Sequence, residues 1–114
     1  MSISELPLEV HARDLAALLA QNAAIVLLDC REPWEHATAH IAPSELIPMN
    51  TIPANLNRIE ALAEDKQLIV YCHHGVRSLN TVAWLRNQGI KNATSLAGGI
   101  DRWSMEIDPT VVRY

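Results

Sequence analysis

The chain has 114 residues, 49% hydrophobic and 19% charged, with a formal net charge of −4. That length implies a single domain over residues 1–114 with one core of its own, and the composition excludes disordered and collagen-like classes. The acidic balance excludes general nucleic-acid binding, which needs a basic footprint, and fits a monomer or weak dimer.

Two cysteines, Cys30 and Cys72, are too few for a disulfide scaffold. The longest apolar stretch, Leu15 to Leu28, is interrupted by Gln21 and Asn22 and falls short of a membrane span. The opening MSISELPLEV has no basic segment leading into an apolar one, so no secretory leader is read. A soluble, cytoplasmic protein in a reducing compartment is expected, without a membrane partner.

In chain order, Leu8–Val10 reads as a short strand. Asp14–Gln21 reads as a helix with Leu15, Leu18 and Leu19 on one face. Ala24–Leu28 is an apolar run suited to a strand buried on both sides. Pro33 is placed to open a short helix through Trp34 and His36. Pro43, Pro48 and Pro53 punctuate a loop-rich stretch, and Asn55–Ala63 carries Leu56, Ile59 and Leu62 at helical spacing. Leu68–Tyr71 is a second buried strand. Ser78–Gln88 is a helix with Gly89 as its stop. Ala93–Leu96 is a further strand, and Gly98-Gly99 turns into a short helix holding Trp103. Alternating strand and helix predict an α/β fold, a mostly parallel central sheet with helices on both faces. Chemistry in such folds sits beyond the carboxyl ends of the strands.

One strand end carries the chemistry. Leu68–Tyr71 runs into Cys72-His73-His74-Gly75-Val76-Arg77-Ser78 and then a helix. The loop amides have no sheet partner, Gly75 permits a bend, and the amides form an anion nest at a positive helix end. Arg77 adds a permanent charge. Each favours thiolate over thiol, so the pKa of Cys72 is expected below the free value of about 8.5, and the thiolate is a nucleophile. Cysteine phosphatases use C-x5-R, whereas here the spacing is C-x4-R, a smaller amide ring suited to one extra sulfur, a persulfide anion, rather than to a phosphoryl group. Ser78 is expected to donate to the sulfur or to cap the helix. His73 and His74 line the loop, either attracting anionic donors at mildly acid pH or simply exposed. Asp29 and Arg31 border the loop at the end of the preceding strand. Asp29 is expected as a brace; Arg31 is expected either to brace the loop or to add positive potential. Cys30 is expected to pack like a valine, with a resolving thiol for Cys72 as the alternative. His36 and His40 have i, i+4 spacing but no third ligand, so no metal site is expected. The three tryptophans are expected at the core or its rim.

Taken together, these segments resemble the single-domain rhodanese family of sulfurtransferases. Leu28-Asp29-Cys30-Arg31-Glu32-Pro33-Trp34-Glu35-His36 is similar to the family's D-x-R-E-P-x-E signature, and His40-Ile41 to its following H-I-P. Cys72–Ser78 resembles the active loop, and Gly98-Gly99-Ile100-Asp101-Arg102-Trp103 the closing G-G-x-x-x-W. The tail from Glu106 to Tyr114 is similar to rhodanese modules joined to sulfur-carrier-activating enzymes. Ala39, Ala42-Pro43 and Cys30 depart from the family's usual Gly, Pro-Gly and Val or Ile.

The resemblance implies ping-pong transfer of a sulfane sulfur from thiosulfate or another small anionic donor, through a Cys72 persulfide, to cyanide, a thiol or a carrier protein. It implies no metal or organic cofactor, and a sulfur-carrier or desulfurase protein as a possible partner. A small-loop phosphatase or arsenate reductase, and a non-catalytic rhodanese-like binding module, are the competing readings.

Overall fold

The computed structural model describes residues 6–114. The first residues of the stretch in which no secretory leader was read, 1–5, lie outside the described residues. Five strands form one sheet: β1 (Glu9–Val10), β2 (Ile25–Asp29), β3 (Glu45–Leu46), β4 (Gln67–Tyr71) and β5 (Ala93–Leu96). Their spatial order is β1-β5-β4-β2-β3. Every pairing is parallel. Helices α1 (Ala12–Ala20), α2 (Pro33–Thr38), α3 (Leu56–Leu62), α4 (Val76–Asn87) and α5 (Gly99–Glu106) connect or flank them.

Period-two alternation along the buried strands splits the core into two faces. Leu28, Leu68 and Val70 meet Ile59 of α3 and Val82 and Leu85 of α4. Leu27, Ile69 and Leu96 meet Leu15 of α1 and Ile100 and Trp103 of α5. The expected parallel sheet with helices on both faces is therefore present. Fully burying each of these Leu, Ile or Val side chains contributes about 1.5–3 kcal/mol, so the sheet is held from both sides by continuous apolar layers.

Local chemistry explains the helix starts. The Asp14 carboxylate accepts from the His11 N–H at 3.0 Å at the start of α1, and Glu35 Oε1 accepts from the Glu32 N–H at 3.0 Å at the start of α2. Pro33 occupies the first turn of α2. Gly75 and Gly98, both at positive φ, are the residues from which α4 and α5 begin. Helix α4 thus opens at Val76, two residues before the start expected at Ser78. The stretch read as a prolyl loop contains β3 and two single 3₁₀ turns, Met49–Thr51 and Pro53–Asn55. It also holds a cis Ala42–Pro43 bond. No helix among the described residues is long and apolar enough to cross a membrane.

Strand order reverses at β2, with β3 on one side and β4 on the other. Crevices at such reversals, beyond the strand carboxyl ends, are where α/β sheets bind ligands. Asp29, Cys30 and Arg31 leave β2 there, and Cys72 leaves β4.

Candidate active site

Cys72 sits at the bottom of the loop joining β4 to α4. Its Sγ accepts the Gly75 N–H at 3.1 Å and the Ser78 N–H at 3.3 Å. The Ser78 hydroxyl lies 3.4 Å from the same sulfur. Gly75 allows this wrapping because its φ of 103° lies in the left-handed region. Ser78 is fully buried, and its hydroxyl is also 2.7 Å from that of Ser95 on β5. Ser78 therefore touches the sulfur, while the helix start falls to Gly75.

A second set of bonds fixes which way the loop faces. The Ile100 N–H donates to the Cys72 carbonyl at 2.9 Å, and the Asp101 N–H to the His73 carbonyl at 3.1 Å. The first turn of α5 thereby takes up the Cys72 and His73 carbonyls, while the Gly75 and Ser78 amides turn toward the sulfur. Gly99 is required for this approach: a Cβ there would run into the Cys72 and His73 carbonyls. The Gly98-Gly99 pair, read from sequence only as a turn, is the clamp on the active loop.

These contacts have an electrostatic consequence. The Cys30 thiol, then the hydroxyl and amide of Ser78 and the amide of Gly75, stabilise a sulfur anion at Cys72 against the opposing effect of burial. The thiol is lowered from 9.0 to about 5. Cys30 shows the converse: the neighbouring Cys72, then burial, push its thiol far up. Both directions favour the charge on Cys72 and the proton on Cys30.

Arg77, expected to lend its permanent charge to the loop, spends that charge on a carboxylate. Its Nη1 and Nη2 donate to Glu35 Oε1 at 2.7 Å and Oε2 at 2.9 Å. Glu35 also accepts the Tyr114 hydroxyl at 2.6 Å. Arg77 first, and Tyr114 with the Glu32 amide, hold the Glu35 carboxyl down at about 2 against burial. A guanidinium in the first turn of a helix sits at the unfavourable end of the helix dipole, and a carboxylate offsets it. Glu35 and Tyr114 are site residues that the sequence reading did not single out. The signal for Glu35 was the same helix-dipole argument, which demands an acidic partner for Arg77.

Arg31 is a brace. It is fully buried, its Nε and Nη2 donate to the two Asp29 oxygens at 2.8 and 2.7 Å, and it also donates to the Ala39 carbonyl and the Tyr114 hydroxyl. Asp29 is equally buried and lies 2.8 Å from His36 Nδ1.

His73 and His74 line the mouth. The His73 ring is stacked between His74, centroids 3.9 Å apart, and Tyr114, 4.0 Å apart. Burial first and the adjacent His74 lower the His73 pKa. Of the two expectations for His73, this direction runs against charging at mildly acid pH. His74 is exposed, 3.8 Å from Asp101. His36 and His40 stack on each other, and His40 Nδ1 is 2.9 Å from the His36 carbonyl, so both are tied into α2. Trp34 lies exposed at the rim, edge-on to Tyr114. Trp103 is in the core.

The Rhodanese-like domain family matches residues 11–106. The chain is 37% identical over 83 residues to the thiosulfate sulfurtransferase GlpE of Stutzerimonas stutzeri, covering 73% of each chain. It is 32% identical over 105 residues to the probable adenylyltransferase/sulfurtransferase MoeZ of Mycobacterium tuberculosis, covering 92% of this chain but only 26% of that protein. Its fold superposes on the crystal structure of a rhodanese-related protein from Thermoplasma volcanium with a TM-score of 0.76 at 34% identity, over 93% of this chain and 98% of that one. A cysteine at a strand end whose sulfur accepts two backbone amides, a glycine clamp behind it and these likenesses agree: the chain belongs to the rhodanese-like domain family.

Proposed function

We propose that this protein is a sulfurtransferase, a single domain over residues 1–114 that carries a sulfane sulfur as a persulfide on Cys72. The observation that carries this reading is the pair of backbone N–H groups, from Gly75 and Ser78, aimed at Cys72 Sγ at 3.1 and 3.3 Å. Such donors stabilise a sulfur anion without a counter-ion and follow the charge as it moves outward.

In the first half-reaction the Cys72 thiolate attacks the outer sulfur of thiosulfate, the S–S bond breaks, and sulfite leaves with the bonding pair. Cys72 then bears a persulfide whose negative terminal sulfur lies among the loop amides of His73, His74, Gly75, Val76, Arg77 and Ser78. In the second, a thiophilic acceptor such as cyanide, a thiol or a sulfur-carrier protein removes that sulfur and restores the thiolate. No metal or organic cofactor enters either step. The name of the Stutzerimonas relative supports thiosulfate as donor. That of MoeZ supports a place in a sulfur relay in which a desulfurase loads Cys72 and a carrier protein unloads it. The phosphatase alternative is disfavoured because Arg77, the arginine a phosphoryl group would need, is committed to Glu35.

The test is intact mass after incubation with thiosulfate. The chain should gain one sulfur, cyanide should release it as thiocyanate, and Cys72→Ser should gain none. Equal gain by Cys72→Ser would reject the assignment.

A further inference from the structure

We propose that Cys30 is a resolving thiol for Cys72: it displaces the transferred sulfur as sulfide and closes a Cys30–Cys72 disulfide, giving the protein a built-in acceptor. This rests on the sulfurtransferase reading and adds a fate for the bound sulfur.

The placement comes from the sheet. The β2–β4 ladder ends on Asp29 opposite Tyr71. The next residues, Cys30 and Cys72, therefore face each other, and the Cys30 N–H continues the ladder by donating to the Tyr71 carbonyl at 3.1 Å. Period-two alternation sends both side chains to the α4 side, and both belong to the cluster that includes Leu28, Val70 and Val82. The Cys30 Sγ is 3.4 Å from the Tyr71 carbonyl, so it is turned toward β4 rather than away from it. Neighbouring strands run about 4.7–4.9 Å apart, inside the Cα separation of about 4.4–6.8 Å that a disulfide spans. Both thiols are free and each is 1% exposed. Cys30 is thus shielded from outside thiols and disulfides but adjoins the one sulfur that becomes electrophilic when loaded.

The step balances within the protein. Cys30 Sγ bonds to Cys72 Sγ, the bond from Cys72 Sγ to the outer sulfur breaks, and the outer sulfur leaves with that electron pair. It carries off the Cys30 proton as hydrosulfide. The oxidising equivalent is the sulfane sulfur itself, delivered by thiosulfate. A dithiol reductant then reopens the disulfide by thiol–disulfide exchange at the Cys72 sulfur, the same atom the donor reaches. The sum is thiosulfate plus two thiols giving sulfite, hydrogen sulfide and a disulfide.

The test follows the sulfur after loading. The protein is charged with thiosulfate, freed of excess donor, kept without thiols, and sampled by intact mass, sulfide assay and non-reducing peptide mapping. The expected result is loss of the added sulfur, release of sulfide equivalent to the charged chains, and a peptide linking Cys30 to Cys72. Cys30→Val, once charged, should keep its sulfur and release no sulfide. A charged wild-type protein that holds its sulfur as long as Cys30→Val, with no linked peptide, overturns the proposal while leaving the sulfurtransferase reading intact. A protein that takes up no sulfur overturns both. Should Cys30→Val not fold, the linked peptide in the wild-type protein decides the matter alone.

Discussion

Glu35 and Arg77 form a two-pronged ion pair, 2.7 and 2.9 Å, that ties α2 to the first turn of α4 beside the active cysteine. The pair joins segments 42 residues apart in the chain. Its carboxylate is nearly buried and its guanidinium about one-third exposed, so removing the arginine is expected to act first on stability.

Arg77→Ala leaves the Glu35 carboxylate with a lost partner in a largely dry position. The expected cost is about 1–3 kcal/mol, measured by urea denaturation. Sulfur uptake should slow but persist, because the Gly75 and Ser78 amides that touch Cys72 remain. Abolished uptake in a folded Arg77→Ala protein would show that the guanidinium acts on the donor directly.

The same pair makes a pH prediction. Glu35 is lowered from 4.5 to about 2 by Arg77 first, with burial opposing. A carboxyl lowered on folding contributes stability that is complete above its unfolded value and lost as pH falls through its folded value. The melting temperature should therefore fall as pH drops from about 4.5 to about 2, and Glu35→Gln should fall less over that window. Parallel curves for the two proteins would contradict the assignment.

Two glycines separate clamp from turn. Gly99→Ala places a Cβ against the Cys72 and His73 carbonyls at a φ of 59°. It should lose more than about 1 kcal/mol and most of the sulfur uptake, since the loop amides lose their orientation. Gly89→Ala is also at positive φ, but nothing lies within 4 Å of the new Cβ. It should cost stability through the backbone alone and leave the uptake rate per folded chain unchanged, as kinetics beside melting curves will show.

Much of this architecture was legible in the residues because its causes are local. The apolar runs ending in Asp29 and Tyr71 announce buried strands, and Cys72 followed by Gly75 announces an amide nest at a helix start. Strand β3 lies between Pro43 and Pro48, which read as loop punctuation, and only its pairing with β2 makes it a strand. The start of α4 was misplaced because Val76 is a poor sequence signal for a first helical residue, while the positive φ of Gly75 sets the boundary. The helix-dipole argument asks for an acid beside Arg77, but not which one: Glu35 lies 42 residues away, and 79 from Tyr114, which shares it. The facing of Cys30 and Cys72 depends on strand order, which crosses β3 in sequence but not in space.

The ionisation of Cys72 tests the central claim, that the Cys30 thiol and the loop together hold a sulfur anion, most directly. Ultraviolet thiolate absorbance of the wild-type protein, less that of Cys72→Ser, should rise with a midpoint at about 5. A midpoint at or above about 8.5, the value of a free thiol, would contradict it.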